Sequence, residues 1–205
     1  LGMVIKETGA KVVVDFTVPA ARMDNFKTIA EHMARPVVGT TGYTEAEIEE
    51  LTNLCQEKKL GAVIAPNFAL GGVLLMKFAA EAARYLSHVE IIELHHDKKE
   101  DYPSGTAVKT AQLMLAGGKK FNQDVNDRVV NMEGARGAES GGIRIHSVRL
   151  PGLMAHQEVI FGALGQTLTL RHDSISRESF MPGVILAVKK VMESDHLIYG
   201  LENLI

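Results

Sequence analysis

Two adjacent histidines, His95 and His96, are followed by Lys99 and then by the run Pro103-Ser104-Gly105-Thr106-Ala107. Imidazole, with an unperturbed pKa of about 6.5, is the side chain best suited to moving protons near neutral pH. A lysine three or four residues beyond the histidines adds a second proton donor or a fixed positive charge. Serine, glycine and threonine at the start of a helix bring together unpartnered backbone N–H groups, two hydroxyls and the positive end of the helix dipole. That combination suits a carboxylate or a phosphate. The stretch therefore has the parts of an acid/base pair beside an anion-binding turn.

The elements around it are those that would hold such a site. Val89, Ile91 and Ile92 read as a strand, and Ala107, Val108, Ala111, Leu113, Met114 and Leu115 as a helix, so the stretch is a strand-loop-helix junction. Each piece also has an ordinary explanation. Successive strand residues point to opposite faces, so His95 and His96 share a site only where the strand ends, and one of them can be a hydrogen-bonded core residue. Ser-Gly-Thr also serves as a plain helix cap, and Lys98, Lys99 and Glu100 as a solvated loop. The compact combination is what favours a site.

His95-His96, Lys99 and Pro103-Ser104-Gly105-Thr106-Ala107 at this spacing resemble the signature of the dihydrodipicolinate reductase family of bacterial lysine and diaminopimelate synthesis. The resemblance continues through Asp15-Phe16-Thr17, Gly39-Thr40-Thr41-Gly42, Ala65-Pro66-Asn67-Phe68, the segment 141–152 and Arg171-His172-Asp173-Ser174. It spans nearly the whole chain.

Composition fits an enzyme of this kind. The 205 residues, 46% hydrophobic, are enough for one large or two small cores. A net charge of −3 gives no electrostatic case for nucleic acid. No apolar run approaches the roughly 20 residues needed to cross a bilayer, and no signal-peptide pattern opens the sequence. The single cysteine, Cys55, lies among apolar helix positions, which fits a cytoplasmic protein. His146, His156 and His172 are not spaced with Asp, Glu or Cys as a metal set, so no metal is expected.

Along the first part of the chain, residues 1–7 read as the tail of a helix, and 11–16 as a buried parallel strand, with Thr17 capping the helix that follows and Pro19 in its first turn. Residues 36–39 and 62–65 read as further strands. Thr44 with Glu47 forms a capping box for a helix reaching about Lys58. Strands alternating with helices predict a parallel α/β sheet, with ligands beyond the carboxyl ends of its strands. No Gly-x-Gly-x-x-Gly fingerprint follows a first strand, and no charged residue is placed to read an adenosine ribose. The family carries both upstream, so the chain is expected to lack roughly its first two βα units, a truncation rather than a lost function.

Beyond Leu70 a helix is predicted to Leu86, with Leu74, Leu75, Phe78 and Ala82 on one face. Lys119 to Ser140 reads as a long polar loop, although Arg136-Gly137 and Gly141-Gly142 resemble family positions. Alternation over 143–148 marks a half-buried strand, and 158–161 with 166–170 a hairpin across Gly162-Ala163-Leu164-Gly165. Arg171 follows that hairpin and is expected to link to the first domain. Phe180, Val184, Ile185, Ala187, Val188 and Val191 mark a last helix.

The resemblance implies the rest. The fold is α/β: a truncated Rossmann-like parallel sheet domain (residues 1–69 and 171–205, with the last helix packed back on it) and an α+β domain for substrate binding and tetramerisation (70–170) with an open mixed sheet. The implied activity is NAD(P)H-dependent reduction of 4-hydroxy-tetrahydrodipicolinate, via dihydrodipicolinate, to tetrahydrodipicolinate, a small dicarboxylate. His95 is the implied acid/base residue and Lys99 the proton donor, with His96, Ser104, Gly105 and Thr106 on the substrate carboxylates. Gly39, Thr40, Thr41, Ala65, Pro66, Asn67 and Phe68 lie along the nicotinamide half of NADH or NADPH. A homotetramer is implied, with no nucleic-acid or membrane partner. Two other readings stay open. One is another two-domain NAD(P)-dependent dehydrogenase, against which stands the lack of a cysteine at a strand-to-helix turn. The other is a truncated, non-catalytic core for substrate binding and oligomerisation.

Overall fold

Short β-branched runs alternate with amphipathic stretches, and a computed structural model, describing residues 1–123, 125 and 130–205, shows what they build. In chain order the elements are α1 (Gly2–Thr8), β1 (Val12–Asp15), α2 (Arg22–Glu31), β2 (Arg35–Val38), α3 (Glu45–Lys58), β3 (Ala62–Ile64), α4 (Leu70–Ala83), β4 (His88–His95), α5 (Gly105–Leu115), β5 (Ala138–Ser140), β6 (Ile143–Arg149), β7 (Ala155–Ala163), β8 (Gln166–Ser174), α6 (Met181–Val191) and β9 (Leu197–Tyr199). They fall into two compact units, Leu1–Leu70 with Glu178–Ile205, and Gly71–Arg177. Among the described residues no helix is long and apolar enough to cross a membrane.

The first unit holds a four-stranded parallel sheet in the order β1-β2-β3-β9. Its central strands are buried except for Arg35 at the start of β2, as a parallel sheet covered on both faces requires. Phe26 of α2, Leu51 and Cys55 of α3, and Val38, Ile64 and Leu197 of the sheet form one cluster. Thr44 and Glu47 make the expected capping box, which starts α3.

Two expectations fail here. The strand at 11–16 is not buried, because β1 pairs on one side only and leaves Val14 and Phe16 exposed. Nor does Thr17 cap a helix. The Asp15 carboxylate accepts the Thr17 N–H at 2.8 Å and the Asn25 amide at 3.1 Å, and a short 3-10 turn starts at Pro19 without a side-chain cap. Asp15 is almost fully buried, so its own need for donors decides the turn.

The last helix, α6, packs against this sheet through Val184, Ala187 and Val191. Gly183 lies so close to the chain that a Cβ there would collide with the Phe68 carbonyl oxygen.

The second unit is a five-stranded mixed sheet in the order β5-β6-β4-β7-β8, in which only β4 and β6 are parallel. Helices α4 and α5 cover one face. Leu75, Ala79 and Ala83 of α4 and Ala107, Ala111 and Met114 of α5 pack on Val89, Ile91, Ile143, Ile145, Val159 and Phe161. Burying each of the larger of these side chains is worth about 1.5–3 kcal/mol. The buried stripe of α4 therefore runs through Val73, Leu75, Met76, Ala79 and Ala83, while Leu74 and Phe78, grouped from the sequence on one face with Leu75, are exposed.

The hairpin is longer and tighter than expected. β7 and β8 run on to Ala163 and from Gln166, so Leu164 and Gly165 alone make the turn, with Gly165 at φ 71°. β8 also continues to Ser174, which puts Arg171 inside the second sheet, its guanidinium taken by Asp173 and Glu158 of the same unit. Part of the presumed long loop is ordered: Ala138–Ser140 pairs with β6, Phe121 is buried, and the Asn122 side chain bonds Val89 and Gly142. Residues 124 and 126–129 of that loop lie outside the described residues.

Replacing Gly183 by Ala is expected to destabilise the first unit by about 1–3 kcal/mol, the usual cost of overpacking. Urea unfolding followed by far-ultraviolet circular dichroism checks it, and an unchanged midpoint would show that α6 can shift without cost.

Candidate active site

β4 alternates, with Val89, Ile91 and Glu93 buried towards the helices. A carboxylate at the third of these inward positions is an anomaly that needs partners, because an unpaired buried charge is very costly. Glu93 is fully buried and has them. Arg149 at the end of β6 grips it with both terminal nitrogens, Nη1 to Oε2 and Nη2 to Oε1, each at 2.8 Å. His95, two residues along and on the same face, places Nδ1 2.5 Å from Oε2. The Ser104 backbone N–H donates to Oε1 at 3.2 Å. Burial alone would push this carboxyl up, but the hydrogen bonds from His95, Arg149 and Ser147 outweigh it and hold the group down at about 2. The same pairing raises Arg149 above the ordinary arginine value.

The loop after β4 hangs from this centre. Arg149 Nη2 also donates to the Asp101 carbonyl at 2.8 Å, and the Asp101 carboxylate accepts from Lys99 Nζ at 2.6 Å. The lysine holds that carboxyl below its usual range. His96 is exposed beyond the end of the strand, so the two histidines diverge as strand alternation demands.

Ser104 then caps α5, its hydroxyl oxygen accepting the Ala107 N–H at 3.3 Å. With the Ser104 and Ala107 N–H groups so used, those of Gly105 and Thr106 are the first-turn donors that helix geometry leaves without intrahelical partners. A Cβ at Gly105 would meet nothing within 4 Å, so the space over this turn is open. The second unit thus gathers His95, Lys99, Ser104, Gly105 and Thr106 around the Glu93–Arg149 pair, with His96 at its exposed edge.

In the first unit, the residues expected along a nicotinamide sit at the carboxyl ends of β2 and β3. The Gly39 N–H donates to the Asp15 carbonyl and the Ala65 N–H to the Val38 carbonyl, both at 2.9 Å, which fixes the two loop starts. Gly39 lies against the Phe16 ring so closely that any side chain there would strike it. The Phe16 and Phe68 rings meet with centroids 5.3 Å apart. Asn67 Oδ1 accepts the Ala69 N–H at 2.9 Å, which turns the chain into α4, and Pro66, Thr41 and Gly42 are exposed. Backbone groups, hydroxyls and a half-exposed aromatic face suit an uncharged carboxamide and ribose, so the donor set fits the nicotinamide half of NAD(P)H. Around the loop, Arg22 clasps Glu47 at 2.6 and 2.8 Å, tying α2 to the start of α3.

Three other histidines, His146, His156 and His172, have neighbours of their own. His146 Nε2 is 2.7 Å from Glu90, His156 Nδ1 is 2.6 Å from Asp173, and the His172 ring lies against Gly71 with its pKa lowered by burial. Among the described residues no three His, Cys, Asp or Glu side chains converge to hold a metal ion.

Sequence reasoning gave no role to Glu93 or Arg149. Glu93 had a signal, a charged residue at an inward position of an apolar strand; Arg149 had none until the β4–β6 register was known.

Comparison with known proteins places the chain. The family model for the amino-terminal part of dihydrodipicolinate reductase matches residues 1–68, and that for its carboxyl-terminal part matches residues 71–205. The 4-hydroxy-tetrahydrodipicolinate reductase of Listeria welshimeri is 58% identical over 205 residues, covering 100% of this chain and 78% of its own length. That of Bacillus subtilis is 57% identical over 199 residues, covering 97% of this chain and 74% of its own. Among solved structures, the dipicolinate-bound dihydrodipicolinate reductase of Paenisporosarcina sp. TG-14 superposes with a TM-score of 0.91 at 48% identity, covering 99% of this chain and 77% of that one.

The depressed Glu93 value ties stability to acid. A carboxyl held at about 2 when folded, against its usual 4.5, binds its proton less readily in the folded state. Its contribution is whole above about pH 4.5 and is lost as the pH falls towards about 2. Urea midpoints taken from about pH 6 down to about pH 3 are expected to fall more steeply for the wild type than for Glu93→Gln. Parallel curves would contradict it.

Proposed function

The chain belongs to the dihydrodipicolinate reductase family, and from that premise we propose how its residues carry out the reaction, NAD(P)H-dependent reduction of 4-hydroxy-tetrahydrodipicolinate, via loss of water to dihydrodipicolinate, to tetrahydrodipicolinate in lysine and diaminopimelate synthesis. The observation that carries the proposal is Glu93, which bonds both the His95 imidazole and the Ser104 backbone N–H. One buried carboxylate thereby ties an acid/base group to an anion-binding helix start.

The substrate is a small ring with two carboxylates. The Gly105 and Thr106 N–H groups, the Ser104 and Thr106 hydroxyls and the positive end of α5 receive one carboxylate, and the exposed His96 assists as a cationic or neutral donor. Gly39, Thr40, Thr41, Ala65, Pro66, Asn67 and Phe68 hold the nicotinamide half of the cofactor, their backbone groups and hydroxyls bonding the carboxamide and ribose. When bound, the reduced nicotinamide supplies hydride to the conjugated ring. The negative charge left by hydride addition to a carbon-carbon double bond conjugated to an imine requires a proton. Lys99 Nζ donates it, held in place by Asp101, and His95 serves as the acid/base partner for proton exchange at the ring.

The homotetramer implied by the resemblance has support in the sheet of the second unit. Its face away from α4 and α5 carries half-buried Ile92, Leu94, Val148 and Ile160, an apolar strip that a second copy would cover. A cytoplasmic setting agrees with a single, buried cysteine.

Steady-state kinetics of variants test the assignment. His95→Ala and Lys99→Ala are each expected to lower kcat by about 100 to 10,000-fold, whereas Thr106→Leu is expected chiefly to raise KM. If either Ala variant keeps an ordinary kcat, that residue does not move a proton in the reaction.

A further inference from the structure

We propose that Glu93 and Arg149 are positioning residues that dictate which nitrogen of His95 does the proton chemistry: Glu93 accepts a hydrogen bond from Nδ1–H, which keeps that proton on Nδ1 and leaves Nε2 as the working atom, while Arg149 cancels the Glu93 charge. The proposal rests on the reading of His95 as the acid/base residue.

The argument is one of valence and charge. A carboxylate can only accept hydrogen bonds, and Glu93 is already committed at both oxygens, to the two Arg149 nitrogens and the Ser104 N–H. Nδ1 of His95, 2.5 Å from Oε2, must therefore be the donor, which fixes the tautomer with Nε2 free. A second histidine tautomer would set a lone pair against a buried carboxylate oxygen.

Arg149 limits what Glu93 does. An uncompensated carboxylate beside an imidazole favours the imidazolium and makes it a sluggish proton donor. The bidentate guanidinium makes the pair electrically neutral, so Glu93 orients the ring without locking a proton onto it. The groups facing Glu93 from every packed element are these: His95 on its own strand, Arg149 and Ser147 on β6, the Ser104 N–H at the start of α5, and Gln157 opposite on β7, itself bonded to Thr110 of α5 at 2.8 Å. Asp101 reaches the pair through its carbonyl on Arg149 and through the charge of its carboxylate, which also favours the Arg149 cation, and Lys99 is bonded to that carboxylate. Arg149 is thus the only one of these neighbours that carries a permanent positive charge onto Glu93. Neutralising each member should then move the enzyme in opposite directions.

The test has two parts. The pH profile of kcat/KM is measured for the wild type, Glu93→Gln, Arg149→Met and the double variant. Glu93→Gln leaves the Arg149 charge beside the ring, so the pH limb is expected to move down by about one unit or more. Arg149→Met leaves the carboxylate charge and is expected to move it up by about as much. The double variant, neutral like the wild-type pair, is expected to return close to the wild-type profile. Lower rates with unshifted limbs would mean a purely structural role and would overturn the proposal.

Because losing either partner of a buried pair can prevent folding, the second part uses the unaltered sequence. Nitrogen-15 spectra of histidine-labelled protein, with the His95 signals assigned by their absence in His95→Gln, are expected to show Nδ1 protonated and Nε2 bare at high pH. A protonated Nε2 in the neutral ring would overturn the proposal. The tautomer is read without any activity, so a His95→Ala variant of normal kcat would sink the catalytic reading while leaving this result to stand or fall separately.

Discussion

A fully buried carboxylate must be satisfied on both oxygens, and that demand of Glu93 organises the second unit. Its partners come from three places in the chain: the same strand, the end of β6, and the first turn of α5. They converge only if β4 and β6 pair in the parallel register that sets Glu93 opposite Ser147 and His95 opposite Arg149. A shift by one residue would turn Glu93 to the other face and strand Arg149. Fold register and site geometry are thus a single constraint. The Leu150 N–H bonded to the His95 carbonyl, and Arg149 bonded to the Asp101 carbonyl, extend the constraint into the loop that carries Lys99.

The first unit depends on close backbone approach as well as on the buried Asp15 carboxylate. Parallel strands expose their carboxyl ends to ligands, and the loops there need little side-chain bulk. Gly39 against Phe16, and Gly183 against the Phe68 carbonyl, are places where a Cβ has no room. The Arg22–Glu47 clasp and the Asp15 acceptor fix the loops on either side, so flexible glycines are held by rigid polar anchors. The first unit thus combines steric contact with hydrogen-bonded charge, where the second is organised around hydrogen-bonded charge.

Much of this was legible before any coordinates, and what was not has definite causes. Alternating strands and helices, the Thr44–Glu47 box and the Ser104 cap are local patterns whose physics acts within four residues, and each appears where it was expected. The histidine pair diverges because strand alternation continues to its last residue. Thr17 was misjudged because a buried Asp15 competed for the same turn, and burial is not a local property. Leu74 and Phe78 were grouped with Leu75 on one face because α4 is apolar on more than one side, so periodicity could not choose its core face. Arg149 was invisible for the same kind of reason: its partner lies 56 positions earlier in the chain.

The central claim is that a dicarboxylate site is built around the helix start tied to Glu93. Isothermal titration with pyridine-2,6-dicarboxylate, a planar mimic of the substrate ring, tests it most directly. The account expects saturable binding of about one molecule per chain, in keeping with one such helix start per chain, and a loss of that binding when Thr106 is replaced by a bulky apolar residue. No heat of binding from the unaltered protein, with or without NADH or NADPH present, would contradict it.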